Sequence, residues 1–328
     1  MRVVVALGGN ALLKRGEKMS AENQIANMKK AAKSLAALAE KHQIIITHGN
    51  GPQVGLLALQ ASSYSEVDPY PLDVLGAESV GQIGYLLEQQ MKNVLPPDQQ
   101  VATLLTQIEV DPKDPAFDDP TKFIGPVFTK EEVDRLAITK GFTFKRDGEH
   151  YRRVVASPRP HRILAEKVIR FLVENNTVVI CAGGGGLPTA YGADGALYGV
   201  EAVIDKDRSA ELLARQIDAD ALLLLTDVDS VYLDWGTPRQ KLIRKVSPNQ
   251  FAEFDFPDGS MGPKVEAASN FARATGNIAC IGKLDQALEM LEGTAGTTVS
   301  SRVTKTVLLG PDGAETSAAQ SAEAEQNA

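Results

Sequence analysis

Three lysines in this sequence occupy positions that suit the binding of a phosphoryl group. Lys206, in the run VIDKD, and Lys264, after GSMGP, both fall at a predicted helix start, and Lys122 lies in the segment PTK. Most surface lysines are merely solvated, but a cation at a helix start is repelled by the helix dipole unless an anion offsets it. Phosphoryl transfer is catalysed mostly by positioning and by positive charge aimed at the migrating group. We therefore consider these lysines candidate catalytic residues, and the neighbouring Asp207 could hold them in position.

Glycine clusters follow three short apolar runs, each before a helical pattern. Glycine permits close backbone approach and unusual φ values, and successive N–H groups at a helix start form an anion site. One cluster is a weak indication because glycine turns are common. Three at equivalent strand ends indicate a polyphosphate or a phosphoryl group held mainly by backbone amides. The candidate binding residues are Gly8, Gly9, Asn10, Gly49, Asn50, Gly51, Gly183 and Gly184.

Standard nucleotide-binding and metal-binding signatures are absent. The sequence contains no GxxxxGK[ST], no GxGxxG, and neither the HRD nor the DFG motif of protein kinases. Its four histidines show no HxxxH or HExxH spacing, and Cys181 and Cys280 lie in apolar runs typical of buried thiols. These absences disfavour a P-loop enzyme, a protein kinase and a Rossmann dehydrogenase.

Composition and charge set further limits. The chain has 328 residues, 43% hydrophobic and 23% charged, which suits one large α/β domain or two lobes. A net charge of −8 without clustered lysine and arginine argues against a nucleic-acid partner. No run approaches the roughly 20 apolar residues of a membrane span, and the first apolar run is too short for a signal peptide. We therefore expect a cytoplasmic protein with no membrane partner.

Short apolar runs alternate with amphipathic segments along the chain. The runs lack apolar–polar alternation, which is typical of strands buried on both faces of a parallel sheet, and they span residues 3–7, 44–47, 178–182, 221–225 and 278–281. Helices are predicted at residues 21–41, 158–175 and 207–217. This order predicts an α/β fold, a three-layer α/β/α sandwich with an open, mostly parallel sheet, whose ligands gather at the carboxyl ends of the strands.

Two segments depart from this alternation. Residues 111–160 are rich in Pro, Lys, Asp and Gly, with a charged helical pattern at 129–140, and we predict a small β-rich insertion that protrudes from the main sheet. Residues 311–328 are mostly small and polar, with no aromatic residue, and we expect this tail to be disordered.

Two acidic residues follow the predicted strand at 221–225, in the run TDVDSVY. Carboxylates at a strand end can bind ribose hydroxyls or a metal ion, or they can simply stabilise a turn. The residues alone leave these three alternatives open.

Eight segments together resemble the carbamate kinase family of the amino-acid kinases. In chain order they are ALGGNAL, THGNGPQVG, PTKFIGP, VVASPRP, CAGGGGLP, VIDKD, LLTDVDSVY and GSMGPKVEAA. The resemblance extends over nearly the whole chain, through about residue 310. HGNGPQVG and GSMGPKVEA are specific to that family, and the lysine-bearing insertion separates it from sibling amino-acid kinases.

The resemblance implies two lobes, usually in a homodimer: an N-terminal lobe of about 1–180, carrying the insertion, and a C-terminal nucleotide lobe of about 181–310. It implies reversible transfer of the γ-phosphoryl group of ATP, in the presence of Mg²⁺, to carbamate, giving ADP and carbamoyl phosphate. The family commonly runs this reaction backwards to make ATP. The sequence does not distinguish an arginine, agmatine or purine pathway.

The resemblance also implies a role for each candidate residue. Lys206 and Lys264 neutralise charge on the phosphoryl group while Asp207 orients them, and Lys122 approaches when the insertion closes. The first two glycine clusters cradle the phosphoryl group and carbamate. The nucleotide pocket is lined by Thr226, Asp227, Val228, Tyr232, Met261 and Gly262.

Three features depart from the family pattern. Phe123 stands where the family usually has proline, Arg208 replaces an apolar residue after VIDKD, and the polar tail is atypical. None of these removes a candidate catalytic group, so they bear on closure of the insertion and on turnover rather than on reaction class.

Two other functions fit the same residues. A sibling kinase acting on another small carboxylate would use the same fold, glycine clusters and lysines, and the insertion at 111–160 is the feature that distinguishes it. A non-catalytic nucleotide-binding protein would retain the sandwich, but it has less need of two cations aimed at one phosphate.

Overall fold

The computed structural model describes residues 1–13, 16–64, 66–256, 261–310 and 313–316, apart from the side chains of Asn10, Ala11 and Thr316. The strands are β1 (Arg2–Leu7), β2 (Gln43–His48), β3 (Val101–Thr103), β4 (Gln107–Val110), β5 (Lys122–Phe128), β6 (Thr143–Asp147), β7 (His150–Val155), β8 (Pro160–Ile163), β9 (Val178–Ile180), β10 (Leu187–Tyr191), β11 (Leu197–Gly199), β12 (Ala221–Thr226), β13 (Val231–Leu233), β14 (Lys241–Val246), β15 (Ile278–Lys283), β16 (Thr297–Val299), β17 (Val307–Leu309) and β18 (Glu315–Thr316). The α-helices are α1 (Gly9–Leu12), α2 (Ala21–Ala39), α3 (Gly51–Ala61), α4 (Leu72–Lys92), α5 (Lys130–Lys140), α6 (Glu166–Glu174), α7 (Lys206–Gln216), α8 (Pro248–Phe251), α9 (Gly262–Thr275) and α10 (Ala287–Glu292).

An eleven-stranded sheet, mostly parallel in its central part, forms the middle layer. Its strand order is β18-β17-β14-β16-β15-β12-β1-β2-β9-β3, with β13 paired to β14. The five strands predicted from apolar runs are β15, β12, β1, β2 and β9, which lie side by side and pair in parallel. Their sequences are continuous apolar runs because helices cover both faces of the sheet.

Two hydrophobic clusters lie on opposite faces of the sheet. Alternate residues of β1 divide between them: Val4 belongs to the cluster that contains Phe271 of α9, and Val5 belongs to the cluster that contains Met28 of α2. Helices α6, α7 and α9 contribute to the first cluster, and α2, α4 and α10 contribute to the second. The three-layer α/β/α prediction is confirmed.

Two local predictions were wrong. The segment 158–175, predicted as one helix, forms β8 and then α6, because prolines at 158 and 160 favour extended backbone and β8 pairs with β4. The third glycine cluster precedes a strand rather than a helix. Gly183–Gly185 form a 3-10 turn that leads into β10, and Gly184 has a φ of 66°.

The predicted insertion contains a separate sheet. Strands β5, β7 and β6 form a three-stranded antiparallel sheet, and α5 connects β5 to β6. A capping box of Thr129 and Glu132 starts α5, and Gly141 ends it in the left-handed region. A third sheet, with the order β11-β10-β4-β8, lies beside the main one.

Part of the predicted tail lies within the described residues. Glu315 and Thr316 form β18, which pairs with β17 at the edge of the main sheet, so these two residues differ from the expectation of disorder. The rest of the prediction, for residues 311–312 and 317–328, falls outside the described residues. Among the helices that the structure describes, none is long and apolar enough to cross a membrane.

The insertion rests on α3 through two glycines. A Cβ added to Gly55 of α3 would lie 2.0 Å from the Cα of Gly125 in β5, a distance that requires the backbones to separate. Gly125 itself has a φ of +72°, which favours glycine. This contact fixes the position of β5, whose first residue is Lys122.

Replacing Gly55 with alanine should therefore displace the insertion from α3. We expect a loss of about 1–3 kcal/mol in the free energy of unfolding, as for overpacked cores. Urea unfolding measures this loss. Gly81→Ala on α4 is the matched control because a Cβ there would meet nothing within 4 Å. Equal stability of the two variants would contradict the expectation.

Candidate active site

Two of the candidate lysines bind the same carboxylate. The Nζ of Lys206 lies 2.6 Å from Oδ1 of Asp207, and the Nζ of Lys264 lies 2.9 Å from Oδ2. Lys206 and Asp207 are in the first turn of α7, and Lys264 is in the first turn of α9, so the contact depends on the packing of these two helices. All three side chains are at least 88% buried, with exposures of 11%, 12% and 5% for Lys206, Lys264 and Asp207.

Burial and mutual charge set the protonation of this group. Burial lowers the pKa of Lys206 to about 8, and Lys264 adds to this shift while Asp207 opposes it. Burial alone would raise the pKa of Asp207, but the two ammonium groups hold it below its usual value. Burial alone would lower the pKa of Lys264, but Asp207 holds it above its usual value. Lys206 is therefore the member of the group that titrates nearest to neutral pH.

Lys122 reaches the same region from the insertion. Its Nζ lies 2.5 Å from Oδ2 of Asp205, two residues before Asp207 in the chain. Burial alone would raise the pKa of Asp205, but Lys122 holds it well below its usual range. The structure therefore gathers three ammonium groups around two carboxylates.

Asp205 is a site residue to which sequence reasoning assigned no role. Its Oδ1 accepts hydrogen bonds from the backbone N–H groups of Asp207 and Arg208, at 2.9 and 3.2 Å, and so caps α7. An aspartate directly before a predicted helix is an N-cap signal, which could have identified the first of its two roles. Its pairing with Lys122, 83 residues away, gives no such signal.

The first two glycine clusters lie against the lysine group. A Cβ added to Gly49 would contact the side chain of Lys206, with Cδ at 3.5 Å, and would lie 3.9 Å from the Cα of Gly9. A Cβ on Gly8 would lie 2.7 Å from the carbonyl oxygen of Leu225 and 3.6 Å from the Cα of Thr226. The loops after β1 and β2 and the end of β12 therefore meet beside Lys206. The side chain of Asn10 falls outside the described residues.

Asn50 and Gly51 of the second cluster contact α4 and β5. The side chain of Asn50 is buried and donates a hydrogen bond to Oγ of Ser79, at 2.8 Å, and this hydroxyl donates to the carbonyl of Gly76. Gly51 starts α3, and a Cβ on it would lie 3.7 Å from the carbonyl oxygen of Phe123. Asn50 is therefore held by α4, and Gly51 lies under the strand that carries Lys122.

Gly183 and Gly184 face the second cluster. A Cβ on Gly183 would lie 2.4 Å from Nε2 of His48, and a Cβ on Gly184 would lie 2.4 Å from Nδ2 of Asn50. Packing by these two side chains accounts for the glycines at both positions. A direct role for Gly183 and Gly184 in phosphate binding stays a prediction.

The predicted nucleotide residues occupy the loops after β12 and before α9. Thr226 ends β12 and donates a hydrogen bond to Asp227, at 3.0 Å, and half-buried Val228 follows in the loop. Met261 occupies the N-cap position of α9, Gly262 begins the helix, and Lys264 follows within the same turn. Thr226 therefore lies next to Gly8. Met261 and Gly262 lie beside Lys264 because all three belong to the start of α9.

Tyr232, the remaining predicted nucleotide residue, makes its contacts with residues near it in the chain, at the hairpin of β13 and β14. Its hydroxyl donates a hydrogen bond to Asp229, at 2.8 Å, and its ring lies 5.0 Å from that of Trp235. Burial and this hydrogen bond raise the pKa of Tyr232 to about 12, so it stays protonated. Its contact with a nucleotide stays a prediction.

Both residues that depart from the family pattern make contacts near the site. Arg208 donates two hydrogen bonds to Glu266 of α9, at 3.1 and 2.9 Å, and Arg159 binds the same carboxylate at 3.1 Å. The guanidinium of Arg152 lies 5.6 Å from the centre of the Phe123 ring. Arg208 therefore joins the two helices that carry Lys206 and Lys264.

Candidate metal ligands are sparse. Within the described ranges, no group of three or more His, Cys, Asp or Glu side chains could hold a metal ion. The carboxylates closest to the lysines, Asp205 and Asp207, are paired with ammonium groups.

The fold and the lysine group agree with a defined class of proteins. The model of the amino acid kinase family matches residues 1–281 of this chain. The chain therefore belongs to the amino acid kinase family. A UMP kinase from Bacillus anthracis, 15% identical with a TM-score of 0.53, shares the fold.

Within the amino acid kinases, the chain belongs with the carbamate kinases. The carbamate kinase of Rhizobium meliloti is 56% identical over 303 residues, covering 92% of this chain and 94% of the relative. That of Haemophilus influenzae is 52% identical over 302 residues, with coverages of 92% and 97%. The solved structure of carbamate kinase from Giardia lamblia bound to AMP-PNP is 39% identical and has a TM-score of 0.82, with coverages of 91% and 98%.

Proposed function

We propose that this protein transfers a phosphoryl group reversibly between ATP and carbamate, and that it works mainly toward ATP. In that direction the bond between phosphorus and the carbamate oxygen of carbamoyl phosphate breaks, and a β-phosphate oxygen of ADP bonds to phosphorus. The observation that supports this best is the group of three lysines beside the glycine loops after β1 and β2. The full-length similarity to carbamate kinases supports the choice of substrate.

The chain's own groups supply positioning and charge. Backbone amides of the first two glycine clusters hold the transferring phosphoryl group, and Lys206 and Lys264 offset the charge that develops on its oxygens. Asp207 keeps both ammonium groups at that point. The nucleophile is a β-phosphate oxygen of ADP in ATP formation and an anionic carbamate oxygen in the reverse reaction, and neither anion needs a general base. Lys122 adds positive charge from the insertion and helps to close the site.

ADP enters as its Mg²⁺ complex and binds at the loops after β12 and before α9. Thr226, Asp227, Val228, Tyr232, Met261 and Gly262 are the proposed contacts. We expect the protein to act as a homodimer in the cytoplasm.

The direct test is formation of ATP from carbamoyl phosphate and MgADP, detected by a coupled assay. We expect ATP with carbamoyl phosphate and far less with acetyl phosphate or other acyl phosphates. Absence of ATP with carbamoyl phosphate but formation with another acyl phosphate would favour a sibling kinase. Tight ADP binding with no turnover of any acyl phosphate would favour a non-catalytic protein.

The pKa of Lys206 predicts how the activity, measured as kcat/KM for carbamoyl phosphate, depends on pH. Its ammonium form predominates below a pKa of about 8, so kcat/KM for carbamoyl phosphate should fall as pH rises through that value. The fall should approach roughly tenfold per pH unit if the neutral amine is inactive. Lys206→Arg is the control because guanidinium stays charged, and the downturn should disappear in that variant even if its activity is lower. An unchanged downturn in Lys206→Arg would assign it to another group.

A further inference from the structure

We propose that His48 is a positioning residue that orients the Gly49–Asn50 peptide and keeps the two facing glycine loops in register. His48 ends β2, directly before the second glycine cluster, and its side chain is fully buried. The mechanism above gives it no part. The proposal rests on the proposed function in assigning that cluster to the phosphoryl group.

The hydrogen bonding of the ring defines its tautomer. Nδ1 lies 3.1 Å from the carbonyl oxygen of Gly49, which can only accept, so Nδ1 carries the proton and donates. Burial lowers the pKa of His48 to about 4, which keeps the ring neutral near pH 7. Nε2 is then an acceptor, and it is buried without a hydrogen-bond partner among the described residues. His48 therefore makes one directed contact, and that contact is with the candidate phosphate loop.

The opposite edge of the ring fixes where His48 can lie. A Cβ on Gly183 would be 2.4 Å from Nε2 and 2.5 Å from Cε1, so the ring occupies the space that a side chain at 183 would need. The next pair along the two loops repeats this arrangement, with Asn50 packed on Gly184. The imidazole is thus confined between the loop at 49–51 and the loop at 183–186.

Peptide geometry carries the contact to the loop amides. The carbonyl of Gly49 and the N–H of Asn50 belong to one planar trans peptide and point in opposite directions. When Nδ1 of His48 holds the carbonyl, the N–H of Asn50 is directed away from the ring. If the N–H of Asn50 is misplaced, the reaction rate should fall, because a displacement of about 1 Å in a site can lower the rate roughly 100-fold.

Substitutions at His48 separate the hydrogen bond from simple filling of space. His48→Asn places an amide N–H on Cγ, the atom that carries Nδ1 in histidine, and should preserve the contact with Gly49. His48→Gln moves the amide one bond further out, and His48→Leu fills space without a donor. We expect kcat/KM for carbamoyl phosphate to fall roughly 10–100-fold in His48→Leu and His48→Gln, but less than about fivefold in His48→Asn. The affinity for ADP, measured by calorimetry, should stay within about threefold in all three.

His161→Asn is the matched control because His161 is exposed on β8, and it should behave as the unmodified protein. Unchanged kcat/KM in His48→Leu, or equal losses in His48→Asn and His48→Gln, would overturn the proposal. If His48→Leu does not fold, the comparison of the asparagine and glutamine variants still decides the question. If the unmodified protein forms no ATP, the proposed function is refuted. If it forms ATP and the His48 variants have the same kcat/KM, only the role of His48 is refuted.

Discussion

Lys206→Ala is expected to lower kcat for ATP formation by roughly 10²–10³, the usual cost of removing one preorganised group that stabilises charge in a transition state. Lys206 is buried within 2.6 Å of Asp207, so its charge acts with little screening by solvent. The stability of the variant should change little by comparison, because Lys264 still neutralises Asp207. Stopped assays of ATP formation and urea unfolding measure the two quantities separately.

The matched control for this lysine is Lys130→Ala. Lys130 also pairs with an aspartate, Asp134, but both side chains are exposed on α5, where ion pairs contribute little. We expect this control to retain full activity. A near-normal kcat in Lys206→Ala would remove Lys206 from the mechanism.

Asp207→Asn is expected to affect both folding and activity. The amide would leave Lys206 and Lys264 buried without their shared counter-charge, and breaking a buried pair from one side costs about 3–5 kcal/mol. Neither ammonium would then be held in place, so the loss in kcat should be at least about 10²-fold. Urea unfolding and the coupled assay measure these effects.

Asp134→Asn, at the exposed pair with Lys130, should cost no more than about 1 kcal/mol. Comparable stability of Asp207→Asn and Asp134→Asn would mean that Asp207 does not neutralise buried lysines. A stable Asp207→Asn protein with low activity would restrict its role to the orientation of the ammonium groups.

The centre of the fold could be predicted from sequence because its signal is local. Each central strand is a continuous apolar run, and helix starts such as those of α2 and α7 carry N-caps, Ser20 and Asp205. Lys206, Lys264 and Asp207 were identified by the same kind of signal, a charged residue at a helix start. The structure brings these three side chains into contact.

Features that depend on tertiary contacts could not be predicted in this way. The pairing of Lys122 with Asp205 joins residues 83 positions apart, and the contact between Gly55 and Gly125 depends on how the insertion meets α3. β8 is an intermediate case, because prolines at 158 and 160 favour extended backbone locally, whereas its pairing with β4 is a tertiary contact. The third glycine cluster resembles a helix start in sequence, whereas its packing against His48 and Asn50 is a tertiary contact.

The place of β1 in the main sheet has a consequence for synthesis. β1 leaves the ribosome long before one of its two neighbours, β12, which begins only at Ala221. Until that strand emerges, the nascent chain exposes one edge of a strand that is apolar from Val3 to Leu7, and such an edge is a template for aggregation. We therefore expect translation products that stop before Ala221 to depend on chaperones, although they contain the whole insertion and the first two glycine clusters.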